Sequence, residues 1–289
     1  MTKLLLFVLF NLFISTIAIS SSRTSKECFN EVPSGSIISD FKNTLMIETP
    51  DGKKNVLPPC KPALEFKRKL KLNNETRFGA NPNNQWAVWY YGACAIWKNG
   101  CESISSTWTT PTSPTSHSAD LAIFNGLQPT YDPRPYDFIL QPCSLWGNGW
   151  FVRGGSYWSA VATMCANTGH CVASSPFKSG DHHQMYGNVT MLGPQLYEVN
   201  VIDQTSQQRA FVRYRTKYFA SFAFHTLEHL PAGNFRSCDQ LPLDPSLTFN
   251  NIQVEPQLMG GWSGAKNNFD CGLDVQLTPQ FGSSLTITL

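Results

Sequence analysis

The sequence predicts an all-β fold, an antiparallel sandwich or barrel with few or no helices. Three observations support this prediction. Short runs rich in β-branched and aromatic residues recur along the chain, proline and glycine separate them, and no long segment has the 3.6-residue periodicity of a helix. Many short strands with turn signals between them are typical of two sheets that pack around one core.

The predicted strands belong to one domain, residues 84–289, which is long enough at roughly 200 residues to bury a substantial core. Runs with strand composition lie at 85–91, 103–109, 197–202, 209–214, 247–249 and 285–289. Pro111 follows the second run and ends it. The polar stretch 203–208 separates the third run from the fourth, which predicts a hairpin.

The first 20 residues predict a secretory signal peptide. Lys3 gives a positive start, an apolar run follows to Ile19, and small residues mark the cleavage positions. That run is too short for a membrane span, and no other stretch approaches the about 18 apolar residues that a span requires. We therefore expect a protein without a membrane anchor, either extracellular or in the lumen of an acidic compartment. Asn74 and Asn188 begin Asn-x-Thr acceptors for glycosylation.

Residues 21–83 differ in charge from the rest of the chain. This segment carries 11 lysines and arginines against 7 acids, whereas residues 84–289 carry 10 against 13. A basic segment ahead of an acidic body is consistent with a propeptide that docks on its own domain and inhibits it. Lys67-Arg-Lys69 suits a processing site, and an exposed basic loop without a regulatory role is the alternative. The acidic body has no basic patch, so we expect no nucleic-acid partner.

The cysteine content agrees with an oxidising compartment. The chain has nine cysteines, and none forms a Cys-x-x-Cys pair, so a zinc ribbon or thioredoxin-like site has no support. Cys94 with Cys101 and Cys165 with Cys171 have the spacing of short loops, which predicts local disulfides. The odd number leaves one thiol free or paired elsewhere.

One carboxylate, Glu228, lies in an otherwise apolar and aromatic run, 219–230. Burying an ionised carboxylate is costly, so an acid in such a run is expected to have a raised pKa unless a neighbour stabilises its charge. A carboxyl group in that state meets the electrostatic requirement of a general acid or base. The alternative is a surface glutamate at the end of a strand.

Two earlier segments accompany Glu228. Residues 119–126 predict a strand that ends in a turn, and residues 136–141 predict a strand whose last residue is the amide Gln141. The order of short motifs here resembles the eqolisins, secreted glutamic peptidases with a catalytic glutamine–glutamate dyad. The motifs are, in order, Ser106-Thr-Trp-Thr-Thr-Pro111, Leu121-Ala-Ile-Phe-Asn-Gly126, Ile139-Leu-Gln141, Gly180-Asp181 followed by Gly187-Asn-Val-Thr190, and Phe224-His-Thr-Leu-Glu228.

The resemblance covers most of residues 84–255. It implies a concanavalin-like jelly roll, and it implies that Gln141 and Glu228 form the catalytic dyad. It also implies a substrate cleft to which we assign Asn125, Trp150 and Trp158. The chain departs from the family in the turn motif, where Leu121 and Asn125 stand in place of a tryptophan and an aspartate.

The dyad also makes chemical sense by itself. Peptide hydrolysis requires an activated water, a proton for the leaving amine and a stabiliser for the oxyanion. Glu228 can take a proton from water and return it to nitrogen, while Gln141 can orient the water and donate to the oxyanion. This scheme needs no cofactor or metal. It predicts a monomeric endopeptidase that acts on polypeptides at acidic pH, whereas the non-catalytic alternative is a hydrogen bond between the two residues across adjacent strands.

Two other functions remain open. The segment His225-Thr-Leu-Glu-His229 matches the zinc-peptidase signature His-x-x-Glu-His, but that motif requires a helix, which the flanking sequence does not favour. Asp181-His-His183 is more typical of a polar turn than of a metal site. A lectin-like or peptide-binding sandwich would use exposed tryptophans such as Trp146, Trp150 and Trp158, although such residues are more often core aromatics.

Overall fold

The computed structural model describes residues 28–41, 44–60, 86–94, 100–116, 120–129, 138–147, 155–166, 168–229, 238–266, 271–276 and 283–289. The predicted signal peptide, the acceptor Asn74 and the basic stretch Lys67-Arg-Lys69 lie outside these residues. The strands are β1 (Phe29–Val32), β2 (Ile37–Phe41), β3 (Thr44–Glu48), β4 (Lys54–Leu57), β5 (Trp86–Ala93), β6 (Ser103–Thr109), β7 (Leu121–Gln128), β8 (Phe138–Trp146), β9 (Trp158–Ala166), β10 (Cys171–Ser174), β11 (Phe177–Lys178), β12 (Gln184–Gly193), β13 (Leu196–Asp203), β14 (Gln208–Arg215), β15 (Phe222–His229), β16 (Ser246–Glu255), β17 (Ser263–Lys266), β18 (Asp274–Gln276) and β19 (Leu285–Thr288). A short 3-10 helix covers Cys238–Gln240.

The strands form two large sheets, which confirms the predicted all-β sandwich. The nine-stranded sheet has the order β1-β10-β9-β8-β7-β15-β5-β17, with β11 paired to β9. The ten-stranded sheet has the order β18-β19-β16-β6-β12-β13-β14-β2-β3-β4. Neighbouring strands are antiparallel except for two parallel pairs at the N-terminal segment, β1 with β10 and β2 with β14.

The main core lies between the two sheets and follows the two-residue alternation of the strands. In β13, Tyr197, Val199 and Val201 are fully buried, while Glu198 between them is half-buried. Side chains on alternate positions of a strand point to opposite faces, so one face of each strand supplies the core. The predicted hairpin is confirmed, since β13 and β14 pair from Leu196 with Arg215 to Asp203 with Gln208.

The N-terminal strands belong to both sheets. β1 extends the nine-stranded sheet at β10, and β2, β3 and β4 extend the ten-stranded sheet at β14. Four apolar side chains from these strands join the core, namely Val32, Ile38, Leu45 and Ile47. Burying each such side chain contributes about 1.5–3 kcal/mol, so this part of the segment predicted as a propeptide supplies core to the domain.

The cysteines form four disulfides. Cys94–Cys101 and Cys165–Cys171 confirm the two predicted local bridges. The other two are Cys28–Cys60 and Cys238–Cys271. Cys143 is the free thiol, and it is buried. Disulfides of this kind fit an extracellular protein. Among the described residues, no helix is long and apolar enough to cross a membrane.

Candidate active site

Gln141 and Glu228 belong to strands on either side of β7. Gln141 lies in β8, Glu228 lies in β15, and both strands pair with β7 in the nine-stranded sheet. The two residues are therefore not on adjacent strands, and a direct ladder-type hydrogen bond between them is not what the structure shows. The sequence predicted that Gln141 is the last residue of its strand. This is wrong, because β8 continues past Pro142 to Trp146.

The side chains of Gln141 and Glu228 point to the same face of this sheet. Leu140 and Leu227, one position before each of them, belong to the core between the sheets. Successive side chains of a strand alternate between faces, so Gln141 and Glu228 point to the opposite, outer face. That face carries a second apolar cluster: Trp89, Ala122, Phe124, Ile139, Cys143, Leu145, Val161, Cys165, Cys171, Ala173 and Phe224.

The strand register sets the separation of the two side chains. Glu228 pairs with Ala122, and Phe224, four residues earlier in β15, pairs with Gly126. The β7–β8 register runs from Phe124 with Cys143 to Leu127 with Leu140, which sets Gln141 level with Gly126. In a flat sheet this offset amounts to about 13 Å along the strands and about 10 Å across them. The two Cα atoms are therefore about 16 Å apart, so one water molecule or peptide group can contact both side chains only if they lean towards each other across the face.

The backbone is irregular beside each of the two residues. The β15–β5 register shifts between Leu227 and Glu228, so that Glu228 pairs with Trp86 and one residue of β5 is skipped. On the other side, no bridge pairs the described residues 125–126 of β7 with 141–142 of β8. Pro142 has no N–H to donate to a ladder. Bulges and ladder gaps re-aim side chains and are frequent next to active sites.

Cys143 lies on the outer face between the rows of Gln141 and Glu228. Its thiol is fully buried, and burial raises its pKa well above the usual range. The Glu228 carboxylate raises that pKa further, whereas a hydrogen bond with Thr163 lowers it. The Glu228 carboxylate is therefore close enough to Cys143 to affect the pKa of its thiol. Gln141 is 5% exposed and Glu228 is 3% exposed, so this surface is covered in the full chain.

An aromatic side chain borders Gln141. The ring of Phe224 lies over Gly126, where an added Cβ atom would come within 2.6 Å of the ring carbon Cζ and 2.3 Å of the Leu140 carbonyl oxygen. Only glycine fits this close approach. The Phe224 ring also meets the Phe124 ring edge to face, with centroids 5.8 Å apart. The neighbourhood of Gln141 is thus apolar and rigidly packed.

Asn125 and Trp158, two of the residues assigned to a substrate cleft, do not share this face. Asn125 is fully buried on the inter-sheet side, where its Nδ2 donates to the Gly187 carbonyl oxygen at 3.0 Å. Trp158 is also fully buried, and its Nε1 donates to the Pro111 carbonyl oxygen at 2.9 Å. These contacts stabilise the sandwich and do not support a substrate contact. Trp150 lies outside the described residues.

The two histidines of the zinc-peptidase motif lie in a strand, not in a helix. Four residues of a strand span about 13 Å, so His225 and His229 cannot bind the same metal ion. Both histidines alternate with Glu228 and point to the inter-sheet side, where the His225 ring contacts Phe249 of β16 with centroids 4.7 Å apart. The zinc hypothesis therefore fails on geometry.

Burial keeps both histidines neutral over a wide pH range. Burial lowers the pKa of His225 to about 3, and neither of its ring nitrogens has a hydrogen-bond partner within the described residues. Burial also lowers the pKa of His229 to about 4, although a hydrogen bond with Gln240 acts in the opposite direction. The face behind the candidate site is therefore unfavourable for positive charge.

The remaining predicted positions are on the ten-stranded sheet and its turns. Asn188 is half-buried, and its Nδ2 donates to the Tyr186 hydroxyl at 2.9 Å. Asp181 accepts a hydrogen bond from the Ser113 hydroxyl at 2.6 Å, as in the expected polar turn. His183 next to it pairs with the buried Asp203 through Nδ1 at 2.6 Å.

Cys143, Phe224 and Thr163 belong to the candidate site but were not predicted as parts of it. Two signals could have found Cys143, because it follows Gln141 by two positions in a strand and one cysteine of nine had to remain unpaired. Thr163 could not be found in this way, since it reaches the site through its pairing with Gln141 across β8 and β9. Local sequence predicts strand pairing only where a short turn joins the two strands, as between β13 and β14.

Two solved structures of peptidases are similar to this chain. No protein-family model and no curated protein matches this sequence. A scytalido-glutamic peptidase, solved with a transition-state analogue inhibitor, is similar over 71% of this chain and 98% of its own, with 13% identity and a TM-score of 0.47. SCP-B, a member of the eqolisin family of peptidases solved with the tripeptide Ala-Ile-His, is similar over the same shares, with 14% identity and a TM-score of 0.46.

Proposed function

We propose that this protein is a secreted glutamic endopeptidase with Glu228 as general base and acid and Gln141 as the residue that positions water and stabilises the oxyanion. One observation carries the proposal. A buried amide and a buried carboxylate share the outer face of the nine-stranded sheet, with apolar side chains between them.

The proposed reaction balances with these two residues alone. The Glu228 carboxylate removes a proton from water, whose oxygen attacks the peptide carbonyl carbon and forms the tetrahedral intermediate. The Gln141 NH2 donates a hydrogen bond to the oxyanion that develops. Glu228, now protonated, gives its proton to the peptide nitrogen, the C–N bond breaks, and an acid and an amine leave. Glu228 returns to the carboxylate form.

The surroundings support this chemistry electrostatically. Cys143 and Phe124 form the apolar surface between the two residues, which we call the floor of the candidate site. A hydrogen bond to a developing charge is worth more in such an environment than in water. The same floor favours substrates with apolar side chains next to the bond that is cut. The proposed working range is acidic, because a carboxyl group must alternate between its two forms during each cycle.

Burial of the site supports a zymogen. In the full chain Gln141 and Glu228 are 5% and 3% exposed, which leaves no access for a polypeptide. We therefore propose that the full chain is inactive and that processing uncovers the outer face. Strands β1 to β4 belong to the two sheets, so any inhibitory part of the basic segment 21–83 has to lie outside them. Secretion, glycosylation at Asn74 and Asn188, and a monomeric state remain parts of this proposal.

The test is hydrolysis of a denatured protein by processed protein between pH 3 and pH 8. Glu228→Gln should reduce kcat/KM by about 10³-fold while the fold is retained, because the general base is lost. Glu255→Gln, which changes an exposed glutamate of β16 in the same way, should leave activity unchanged. Full activity in Glu228→Gln would refute the mechanism. Peptide binding without hydrolysis by any form would instead identify a non-catalytic binding module.

A further inference from the structure

Three fully buried polar side chains between the two sheets carry atoms that have no hydrogen-bond partner among the described residues. These atoms are Oγ of Ser106 in β6, Oδ1 of Asn125 in β7 and both ring nitrogens of His225 in β15. Buried polar atoms are almost always hydrogen-bonded, either to protein or to ordered water. Three such groups on facing strands therefore indicate a ligand that connects them.

The strand order places these three side chains around one point. His225 and Asn125 are paired residues of neighbouring strands, so their side chains lie next to each other on the inner face of the nine-stranded sheet. Across the sandwich, the His225 ring contacts Phe249 of β16, and Asn125 donates to the Gly187 carbonyl oxygen of β12. β6 lies between β16 and β12, and its residue Ser106 pairs with Gly187. Ser106 is therefore opposite the boundary between His225 and Asn125.

The Ser106 side chain points towards this boundary. Ile104 and Trp108, two positions before and after it in β6, belong to the core between the sheets, and alternate residues of a strand share a face. At Gly187 an added Cβ atom would come within 2.7 Å of Asn125 Oδ1, so this oxygen lies over β12 beside Ser106. Neighbouring strands are about 5 Å apart, which is close to the span of two hydrogen bonds through one water molecule.

We propose that these three side chains bind one internal water molecule, which accepts from the Ser106 hydroxyl and donates to Asn125 Oδ1 and to one ring nitrogen of His225. A buried water usually makes about three hydrogen bonds. The second ring nitrogen of His225 then carries the proton. Its N–H can point at an aromatic face, because the Phe249 and Trp262 rings meet the imidazole edge to face with centroids 4.7 Å and 4.9 Å away.

The chemistry of the three groups selects water over an ion. At neutral pH none of them is charged, and burial lowers the pKa of His225 to about 3, so this part of the core opposes positive charge. An anion requires donors, and Asn125 Oδ1 can only accept. A water molecule can both donate and accept. It also ties β6 to β7 and β15 across the sandwich, so the proposal concerns a contact between the sheets and is independent of the proposed peptidase activity.

The first test is a double-mutant cycle on the full chain, measured by urea unfolding at pH 7. Ser106→Ala and His225→Phe each remove one bond to the water, so each should raise the unfolding equilibrium constant by about fivefold. The double variant should raise it by clearly less than the product of the two effects, because both residues share one water and make no direct hydrogen bond. Fully additive effects would overturn the proposal.

Thr226→Val is the matched control for His225→Phe. Thr226 is the next residue of β15, is also fully buried and donates to the Val88 carbonyl oxygen at 3.0 Å, but it points to the outer face. Its effect on unfolding should add to that of Ser106→Ala. Equal departures from additivity in both cycles would show a general coupling through the core and would contradict a shared water.

A crystal structure of the wild-type full chain covers the case in which a variant does not fold. Density for one water molecule should lie about 2.7–3.2 Å from Ser106 Oγ, from Asn125 Oδ1 and from one ring nitrogen of His225. Direct hydrogen bonds among the three side chains, or no density between them, would refute the proposed site.

Discussion

On the inter-sheet side of β15, His225 and His229 are buried and the His225 ring contacts Phe249, whereas the outer side of the same strand carries Phe224 and Glu228. β7 has the same division, with Asn125 inside and Phe124 outside. Neighbouring residues of one strand therefore have different roles, because their side chains point to different faces. The inner face holds polar groups that the sandwich must keep uncharged, and the outer face holds the one acid that the proposed reaction needs to ionise.

This division has an electrostatic cost at low pH. The inner histidines oppose protonation, while the proposed reaction on the outer face favours acid conditions. Both groups belong to β15, so protonation of the inner histidines is expected to set the lowest pH at which the protein works.

The largest effect is expected from paired alanine substitutions in β7 and β8. Gln141→Ala removes the proposed oxyanion donor and should lower kcat by about 10²–10³-fold with little change in KM. Asn125→Ala, on the inner face, should leave kcat unchanged and cost about 1–2 kcal/mol of unfolding free energy, because the hydrogen bond to Gly187 is lost.

Steady-state kinetics and urea unfolding of both variants test this pair. Loss of catalysis in Asn125→Ala with unchanged stability would show that Asn125 acts on substrate. Loss of kcat in Gln141→Ala alone, with loss of stability in Asn125→Ala alone, would show that the two faces have separate roles.

The next effect concerns stability against acid. Because burial lowers the pKa of His225 and His229 to about 3 and about 4, the unfolded chain, with a histidine pKa of about 6.5, binds more protons than the folded chain. The loss of stability that the two histidines cause is absent above about pH 6.5 and grows as the pH falls towards their pKa values in the folded protein. At pH 4.5 each histidine should cost about 3 kcal/mol of unfolding free energy.

Urea unfolding at pH 7 and pH 4.5 measures this loss. His225→Phe, which keeps a ring against Phe249 and Trp262, should recover about half of it, whereas the exposed His182→Gln should recover none. An identical acid loss in His225→Phe and the wild type would show that the inner face does not limit acid stability.

Sequence alone predicted the features that depend on local pattern. β6 has the predicted bounds, 103–109, and β13 and β14 form the predicted hairpin, because alternation and turn composition are properties of neighbouring residues. The two local disulfides follow from short spacing in the same way. Gln141 and Glu228 could be singled out because a polar side chain in an apolar run is visible without a structure.

The features that sequence did not predict depend on pairing between distant strands. Asn125 was assigned to the substrate cleft, yet the alternation of β7 turns it inward. Because β7 is buried on both faces, its local sequence does not show which side chains point between the sheets. β8 was expected to stop at Gln141, but it continues through Pro142 because its later residues are buried on both faces. Strands β1 to β4 were not predicted as part of the domain because they are short, and because β1 and β2 join it by pairing with β10 and β14, which are distant in sequence.

The smallest expected effect concerns the thiol between the two site residues. Cys143→Ser should change kcat/KM by less than about fivefold, since the thiol has no step in the proposed reaction and the substitution keeps the volume of the floor. In the full chain the thiol is buried with a raised pKa, so a small thiol reagent should react slowly at pH 8. Processed protein should react faster, and an apolar peptide should slow that reaction again, because it covers the same outer face. If processing restored hydrolysis without any gain in Cys143 reactivity, the substrate would have to bind elsewhere, and the division between the two faces would lose its functional meaning.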